Sequence, residues 1–382
     1  MKKIAVFTGT RAEYGLLFGL LKAIESSNAS LSLLVGGMHL SSEYGDTAST
    51  IESDGFEITE RLDYLLSSSS PVAISKSMAL AQIAAAECFS RIKPDILVVL
   101  GDRFESLAVA QASMIAQIPI AHIHGGELTQ GLIDDPIRHS ITKMAQLHFT
   151  STEVYRKRVI QLGEQPSSVF NVGAPGIDNI ANLSLLSFEE LNITLNNKLS
   201  KPYFLVTYHP VTLEKEGGIT AMNNMLKALL AFPHQVLLTY PNADTFGKEL
   251  LTELTDFVKN HPKKFIISES LGQRRYLSAL KHTSAVIGNS SSGLIEAPSF
   301  NVPTVNIGNR QLGRITGESV INCGESSDAI QQAISQSLSP KFNDKIKKIK
   351  NLYGDGKANE RILSVLLNYS HSFSTQKTFY DI

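Results

Sequence analysis

The chain has 382 residues, a formal net charge of −1 at pH 7, 43% hydrophobic residues and 19% charged residues. This length predicts two domains, and the composition is that of ordinary water-soluble globular proteins. A charge balance so close to zero excludes general affinity for polyanions, so nucleic acid is not an expected partner and any phosphate binding must be local.

The cysteines and the apolar runs indicate a cytoplasmic protein. Cys88 and Cys323 are far apart in the sequence, which predicts neither a disulfide framework nor a thiolate metal site. The opening MKKIAVFTGTRAEYG has only a short apolar run before Thr8 and Arg11, which predicts a first strand and no signal peptide. No apolar stretch approaches membrane-spanning length. We therefore expect a cytoplasmic location and no membrane partner.

The first half of the chain alternates short apolar runs with helical patterns. Predicted strands span residues 4–8, 31–35, 57–58, 96–100, 118–123, 148–150 and 170–172. Predicted helices span residues 16–25, 73–91, 103–117, 141–145 and 153–162, and residues 9–15 are predicted as a turn.

A polar, irregular segment rich in Asn and Ser, residues 182–201, separates the two halves. Predicted strands then span residues 203–208, 236–239, 265–267, 285–288 and 304–307. Predicted helices span residues 219–231, 250–260, 276–282, 294–299, 329–337, 341–350 and 358–369. This order predicts an α/β protein of two doubly wound, Rossmann-like domains that face each other across a cleft, residues 1–176 and 177–357.

Polar groups follow the first two predicted strands of the chain. The turn GTRAEYG can place backbone N–H groups and the Arg11 guanidinium on an anion. A glycine turn with a capping pair is an equally good interpretation. His39 falls at the end of the second strand, in GGMHL.

Residues 94–139 form the most informative stretch, a β-α-β unit with polar residues at the ends of both strands. Asp102 and Arg103 follow the first strand, and His124 and Glu127 follow the second. Other ionisable side chains come shortly afterwards: Asp134, Asp135, Arg138 and His139. Ligands bind at the carboxyl ends of parallel strands, so this clustering favours a functional site over a turn aspartate, a helix cap and surface charge.

The second half has its own strand-end motif, GNSSSG at residues 288–293. Ser290, Ser291 and Gly293 offer hydroxyls and backbone N–H donors at a predicted helix N-terminus, which suits a phosphate; a serine-rich cap is the alternative. Glu296, one turn later, can accept the paired hydroxyls of a ribose or simply complement the helix dipole. Arg310 and Arg314 can supply compensating charge.

Histidines lie at strand ends in both halves of the chain. His209, at the first strand end of the second half, can donate to a phosphate, act as an acid, or be a satisfied structural histidine. His122 and His124 alternate on a strand and should face the same side, with Glu127 and Asp134 nearby. Their spacing lacks a helical HExxH-like pattern, which favours a site without a metal.

At these residues the chain resembles the hydrolysing UDP-N-acetylglucosamine 2-epimerase family, in its sialic-acid-pathway branch. The motifs that carry the resemblance run in order along the whole chain: GTRAEYG, GGMHL, GDRFE, HIHGGE, DDPIRHSITK, YHPVT, GNSSSGLIEAP and GNRQLGRITGE. The resemblance implies a GT-B fold whose final helix and tail, residues 358–382, pack back on the first domain. It also implies a homodimer or homotetramer, and no metal or redox cofactor.

The resemblance also implies roles for individual residues. UDP-binding positions fall on Arg11, His209, Ser290, Ser291, Glu296 and Arg310. Catalytic carboxylate positions fall on Asp102 and Asp134. We add to the substrate-binding set Glu13, His39, Arg103, Arg138 and Gly293, and to the catalytic set His124, Glu127 and His209. One departure stands out, because many relatives have a catalytic glutamate where this chain has His124.

The implied reaction converts UDP-N-acetylglucosamine and water into N-acetylmannosamine and UDP. It proceeds by anti elimination to 2-acetamidoglucal, followed by hydration. The altered residue His124 leaves UDP-N,N′-diacetylbacillosamine, of the legionaminic acid pathway, as an alternative substrate. A GT-B glycosyltransferase, a metal-dependent hydrolase using Asp102, His122 and His124, and a nucleotide-sugar sensor are further alternatives.

Overall fold

The computed structural model describes residues 1–42, 45–68, 70–129, 133–211, 218–241, 247–268, 271–369 and 377–382. The chain divides into two compact units. Unit 1 comprises Met1–Glu127, Ile133–Ala181 and Tyr353–Ile382. Unit 2 comprises Asn182–Leu352 and a short segment that includes Leu128. The boundary thus falls at 181/182 instead of the predicted 176/177, and the chain re-enters unit 1 at residue 353 instead of 358.

Unit 1 is built on a seven-stranded parallel sheet. Its strands are β1 (Lys3–Thr8), β2 (Ser30–Gly36), β3 (Ile58–Leu62), β4 (Ile96–Leu100), β5 (Ile120–Ile123), β6 (Leu147–Thr150) and β7 (Val169–Asn171). The strand order is β3-β2-β1-β4-β5-β6-β7, so the winding direction reverses between β1 and β4. Because the central strands are buried on both faces, they read in the sequence as continuous Ile, Val and Leu runs.

Helices cover both faces of this sheet. They are α1 (Arg11–Glu25), α2 (Ala48–Ser53), α3 (Pro71–Ile92), α4 (Phe104–Ile115), α5 (Asp134–Met144), α6 (Glu153–Gln161), α7 (Pro175–Asn182) and the C-terminal α15 (Ala358–Asn368). Ile362 and Leu366 of α15 lie in the core beside α1. The Asp178 carboxylate on α7 accepts the backbone N–H groups of Ala358 and Asn359, at 2.9 and 2.6 Å. This cap on α15 explains why α7 belongs to unit 1.

Unit 2 repeats the same winding in a six-stranded parallel sheet. Its strands are β8 (Tyr203–Thr207), β9 (Gln235–Thr239), β10 (Phe265–Ser268), β11 (Ala285–Gly288), β12 (Thr304–Ile307) and β13 (Val320–Cys323). The order is β10-β9-β8-β11-β12-β13, with the reversal between β8 and β11. Its helices are α8 (Phe188–Thr194), α9 (Ile219–Leu230), α10 (Gly247–Asn260), α11 (Gly272–His282), α12 (Ser292–Ile295), α13 (Ser327–Ser337) and α14 (Pro340–Ile346).

Three helix starts differ from the prediction, two of them because of capping boxes. Residues 11–15 belong to α1, since Thr10 and Glu13 form a capping box. The segment 182–201 is not wholly irregular: Ser187 and Glu190 form a second capping box, which starts α8. Helix α5 begins at Asp134, seven residues before the predicted start at 141.

Two further elements of unit 2 were predicted wrongly. Strand β13 was missed because its half-exposed sequence VINC lacks a buried apolar run. The predicted helix 294–299 is a single α-helical turn, α12, followed by a 3₁₀ turn at Ala297–Phe300. Pro298, which lacks an N–H donor, lies in that second turn.

Helix α3 corrects the expectation about membrane-spanning length. Among the described residues it is the one helix long and apolar enough to cross a membrane. Its Ala81, Ala85, Cys88 and Phe89 are buried in a core cluster of unit 1, together with residues of β4 and α4. The core helix of a water-soluble protein passes the same test, so this feature is weak evidence for a membrane.

Candidate active site

In unit 1 the polar strand ends lie around the reversal between β1 and β4, where open parallel sheets bind ligands. After β1, the Glu13 carboxylate accepts the N–H groups of Gly9 and Thr10, at 2.8 and 3.1 Å. The turn GTRAEYG therefore forms a helix cap, which was one of its two interpretations. Arg11 is exposed on the first turn of α1.

Glu13 belongs to a buried carboxylate pair that the sequence did not disclose. Burial and the charge of Glu105 raise the pKa of Glu13 to about 7. Glu105 is 1% exposed, and one of its oxygens lies 2.8 Å from Nε of Arg103. The signal for Glu105 is its place in GDRFE, on the first turn of helix α4, in which it is the one charged residue.

His39, after β2, is fully buried and hydrogen-bonded on both ring nitrogens. Its Nε2 is 3.1 Å from the Thr8 hydroxyl, and its Nδ1 is 2.7 Å from the Thr47 hydroxyl. Burial lowers the pKa of His39 to about 4. The ring is therefore neutral at pH 7 and links the ends of β1 and β2 to the start of α2.

Asp102 and Arg138, 36 residues apart in the sequence, form an ion pair. The Arg138 side chain is 2% exposed and the Asp102 side chain 20%. A second carboxylate, that of Asp135, lies 3.8 Å from the same guanidinium. Helix α5 begins at Asp134, so Asp134 lies one helical turn before Arg138. The early start of this helix brings the predicted residues Asp134 and Arg138 onto the same helix.

His122 serves the structure of the strand ends. Its Nε2 lies 2.7 Å from the Gly101 carbonyl, so Nε2–H donates and Nδ1 accepts from the Thr142 hydroxyl at 3.1 Å. Burial lowers the pKa of His122 to about 3. This histidine ties β5 to the turn after β4 and to α5.

The alternation along the strand predicted that His124 shares a face with His122, and this prediction is wrong. His124 lies beyond the end of β5 and has a left-handed φ of +67°. Its Nδ1 lies 2.6 Å from the Glu127 carboxylate, which also accepts the Ser151 hydroxyl at 2.9 Å. Ser151, at the end of β6, had no predicted role.

In unit 2, Asn289 joins the two strand ends at the reversal between β8 and β11. Its side-chain oxygen accepts the His209 N–H at 2.7 Å, and its side-chain nitrogen donates to the His209 carbonyl at 2.8 Å. Gln311 and Arg310 both donate to the Asn289 carbonyl. Burial, with the Arg310 charge, holds the pKa of His209 well below its usual range. Neither Asn289 nor Gln311 was assigned a role from the sequence.

The loop after β11 requires glycine at two positions. A Cβ on Gly288, whose φ is +134°, would meet the Thr207 carbonyl oxygen at 2.0 Å, and one on Gly293 would meet the Thr304 methyl at 2.5 Å. Ser290 and Ser291 lie between them and are half-buried. Since α12 has only four residues, backbone and hydroxyl donors matter more here than the predicted helix dipole.

Glu296 and Arg314 are two further predicted residues of unit 2. Glu296 ends α12, and burial together with its charge raises the pKa of Tyr276. Arg314 donates to the Leu128 carbonyl. Throughout the part of the chain that the structure describes, no group of three or more His, Cys, Asp or Glu side chains could hold a metal ion.

Comparison with known proteins places this geometry in a family. A sequence profile described as UDP-N-acetylglucosamine 2-epimerase matches residues 22–367. The chain belongs to this family. It is 40% identical over 386 residues to the polysialic acid biosynthesis protein P7 of Escherichia coli, covering 100% of this chain and 98% of that protein. The predicted family resemblance is confirmed.

Two further comparisons extend this result. The chain is 40% identical over 343 residues to the GDP/UDP-N,N′-diacetylbacillosamine 2-epimerase (hydrolyzing) of Campylobacter jejuni, covering 89% of this chain and 88% of that protein. It is similar in structure, with a TM-score of 0.81 and 18% identity, to the UDP-GlcNAc 2-epimerase from Neisseria meningitidis bound to UDP-GlcNAc, covering 97% and 100% of the two chains. The GT-B fold of two Rossmann-like domains is confirmed.

The burial of His122 predicts a pH dependence of stability. Its pKa is about 3 in the folded state and about 6.5 in the unfolded chain. The unfolded state therefore takes up a proton first, so this contribution is complete above about pH 6.5 and is lost as the pH falls. In urea denaturation from about pH 6 to pH 4.5, wild type should lose about 2 kcal/mol more stability than His122→Gln.

The control for this comparison is His282→Gln, which replaces a histidine of unit 2 that bonds the Leu186 carbonyl. This variant should keep the pH dependence of wild type in the unfolding of unit 1. An equal loss in wild type and His122→Gln would contradict the prediction.

Proposed function

We propose that the protein converts UDP-N-acetylglucosamine and water into N-acetylmannosamine and UDP, for nonulosonic (sialic) acid synthesis. The names of the relatives support this, since one is a polysialic acid biosynthesis protein and another a hydrolysing 2-epimerase. Solved structures of other proteins with this fold hold UDP or UDP-GlcNAc, which supports a UDP-sugar ligand. A cytoplasmic homodimer or homotetramer is part of the same proposal.

The observation that carries the proposal is the Asp102–Arg138 ion pair at the reversal of the unit 1 sheet. The buried guanidinium fixes the carboxylate in place, while the Asp102 side chain keeps 20% of its surface exposed. A fixed, accessible carboxylate at a strand end suits a reaction in which positive charge develops on a sugar ring. A binding protein without turnover would not need this arrangement.

The proposed chemistry starts with loss of UDP. The proton at sugar C2 is only weakly acidic, so its removal must accompany cleavage of the C1–O bond. The pair of electrons from C2–H forms the C1=C2 double bond, and the C1–O pair leaves with UDP. Negative charge on the leaving diphosphate is stabilised by Arg310, His209 and the Ser290–Ser291 loop of unit 2.

Hydration completes the reaction. Water adds to C1 of 2-acetamidoglucal, and C2 receives a proton on the face opposite to the one that lost it. Asp102 and Asp134 of unit 1 stabilise the positive charge on the ring in both steps. A non-hydrolysing epimerase would instead add UDP back to the same intermediate, giving UDP-N-acetylmannosamine.

UDP-N,N′-diacetylbacillosamine is the second candidate substrate. The name of the Campylobacter jejuni relative favours it, at the same 40% identity as the Escherichia coli relative. The reaction at C1 and C2 is identical, so the two substrates differ only in the substituents at C4 and C6. Turnover of each UDP-sugar by the purified protein, followed by proton NMR, separates them.

Isotope labelling tests the reaction. In D₂O the product should carry deuterium at C2, because the proton that returns comes from an acid that exchanges with solvent. In ¹⁸O-labelled water the label should enter the C1 hydroxyl, because the C1–O bond to UDP is cleaved. NMR and mass spectrometry of the product measure both. Free product without deuterium at C2 would exclude this route, and UDP-N-acetylmannosamine as sole product would exclude hydrolysis.

Replacing one carboxylate tests the role of Asp102. Asp102→Asn keeps the side-chain shape but removes the charge, so it should bind UDP as wild type does while kcat falls by roughly 100-fold or more. Asp135→Asn is the matched control, since it also removes a carboxylate beside the Arg138 guanidinium. Calorimetry with UDP and steady-state kinetics give the two readouts. Equal losses of kcat in both variants would contradict a specific role for Asp102.

The placement of UDP on unit 2 has its own test. Ser290→Ala combined with Ser291→Ala should weaken UDP binding by roughly 1–3 kcal/mol, the usual effect of losing hydrogen bonds to a charged group. Ser339→Ala, which removes a capping hydroxyl from α14 of the same unit, is the control. Unchanged calorimetric affinity in the double variant would refute the placement.

A further inference from the structure

Three side chains at the ends of neighbouring strands β5 and β6 form one hydrogen-bonded group. His124 and Glu127 belong to the loop after β5, and Ser151 follows β6. The His124 Nδ1 is 2.6 Å, and the Ser151 hydroxyl 2.9 Å, from the same Oε1 of Glu127. The three residues are 8%, 3% and 2% exposed, so the group is largely shielded from water.

The position of each proton follows from the partners. A carboxylate oxygen only accepts, so both the His124 Nδ1–H and the Ser151 hydroxyl donate to Glu127. The other ring nitrogen of a neutral His124, Nε2, then carries a lone pair. This atom is buried and has no hydrogen-bond partner among the residues that the structure describes. A histidine oriented by a carboxylate, with a free lone pair on its far nitrogen, has the arrangement of a general base.

The loop that carries His124 is fixed on several sides. The His124 N–H donates to the Phe149 carbonyl at 2.9 Å, and the Arg158 guanidinium donates to the Gly126 carbonyl. A Cβ on Gly126 would meet the Tyr155 carbonyl oxygen at 2.5 Å, so this turn packs directly on α6. The left-handed φ of His124 is sparsely populated by non-glycine residues and is retained here by these contacts.

Resting on the function proposed above, we propose that His124 is the general base that removes the C2 proton in the elimination step. Glu127 and Ser151 are positioning residues that hold its ring. Nε2 takes the proton, the C2–H electrons form the C1=C2 bond, and UDP leaves with the C1–O pair. Glu127 stabilises the imidazolium that results. The proton returns to the opposite face of C2 during hydration, so a different acid acts there.

This assignment separates the two half-reactions, and the experiment uses that separation. His124→Gln should consume UDP-N-acetylglucosamine at least about 100-fold more slowly than wild type. The same variant should still hydrate supplied 2-acetamidoglucal, in the presence of UDP, at a rate within a few-fold of wild type. His148→Gln is the matched control, because His148 is also buried and also bonds a glutamate, Glu164, but lies within β6.

The positioning role of Ser151 is tested by kinetics. Ser151→Ala should lower kcat for elimination about tenfold with KM for the UDP-sugar unchanged. Ser151→Thr, which keeps the hydroxyl, should restore most of that loss. Ser113→Ala removes a comparably buried hydroxyl, one that donates to the Ile118 carbonyl, and should leave kcat unchanged.

Three outcomes would overturn the inference. Full elimination activity in His124→Gln would show that His124 is not the general base. Equal loss of both half-reactions in that variant would make His124 structural, and failure of Ser151→Thr to restore kcat would remove Ser151 from the group. If wild type neither consumes a UDP-sugar nor hydrates 2-acetamidoglucal, the proposed function fails and the inference falls with it.

Discussion

Both sheets reverse their winding direction in the middle, between β1 and β4 in unit 1 and between β8 and β11 in unit 2. Right-handed connections then leave in opposite directions from the two central strands, so no crossover covers their carboxyl ends. Buried backbone groups at these ends need partners from side chains. In unit 1 the Glu13 carboxylate supplies them, and in unit 2 the Asn289 amide does. Some of the polar residues at the strand ends are therefore needed as hydrogen-bond partners for the backbone, independently of any catalytic role.

This constraint divides the strand-end residues into two groups. His39 and His122 are bonded on both ring nitrogens and are held neutral by burial, so they connect strands without changing charge near pH 7. Asp102 and Arg138 keep their charges as a pair. A buried ion pair contributes little net stability compared with apolar packing, while the loss of one partner is costly. Its retention at a strand end is therefore better explained by chemistry than by stability.

The sequence predicted the sheets well and the site only in part. Buried parallel strands are continuous apolar runs, so β4, β11 and β12 were predicted with their observed bounds. Caps such as Thr10 with Glu13 start a helix before its apolar pattern begins, so the observed helix boundary differs from the predicted one. The sequence pattern indicated Asp102 and Arg138 as separate candidates, but their ion pair is evident only from the fold. Glu105, Ser151 and Asn289 received no role because their partners Glu13, Glu127 and His209 are distant in the sequence, and only the fold brings them together.

The loop HGGE shows how a local departure depends on its surroundings. Positive charge develops on the sugar ring during elimination, and a histidine that accepts the C2 proton becomes positive as well. Two positive charges side by side repel, which would raise the barrier. Glu127, 2.6 Å from the His124 ring, removes that repulsion, because the protonated histidine and the carboxylate together are neutral. A histidine at this position therefore requires the carboxylate beyond the two glycines, and the two residues act as one unit.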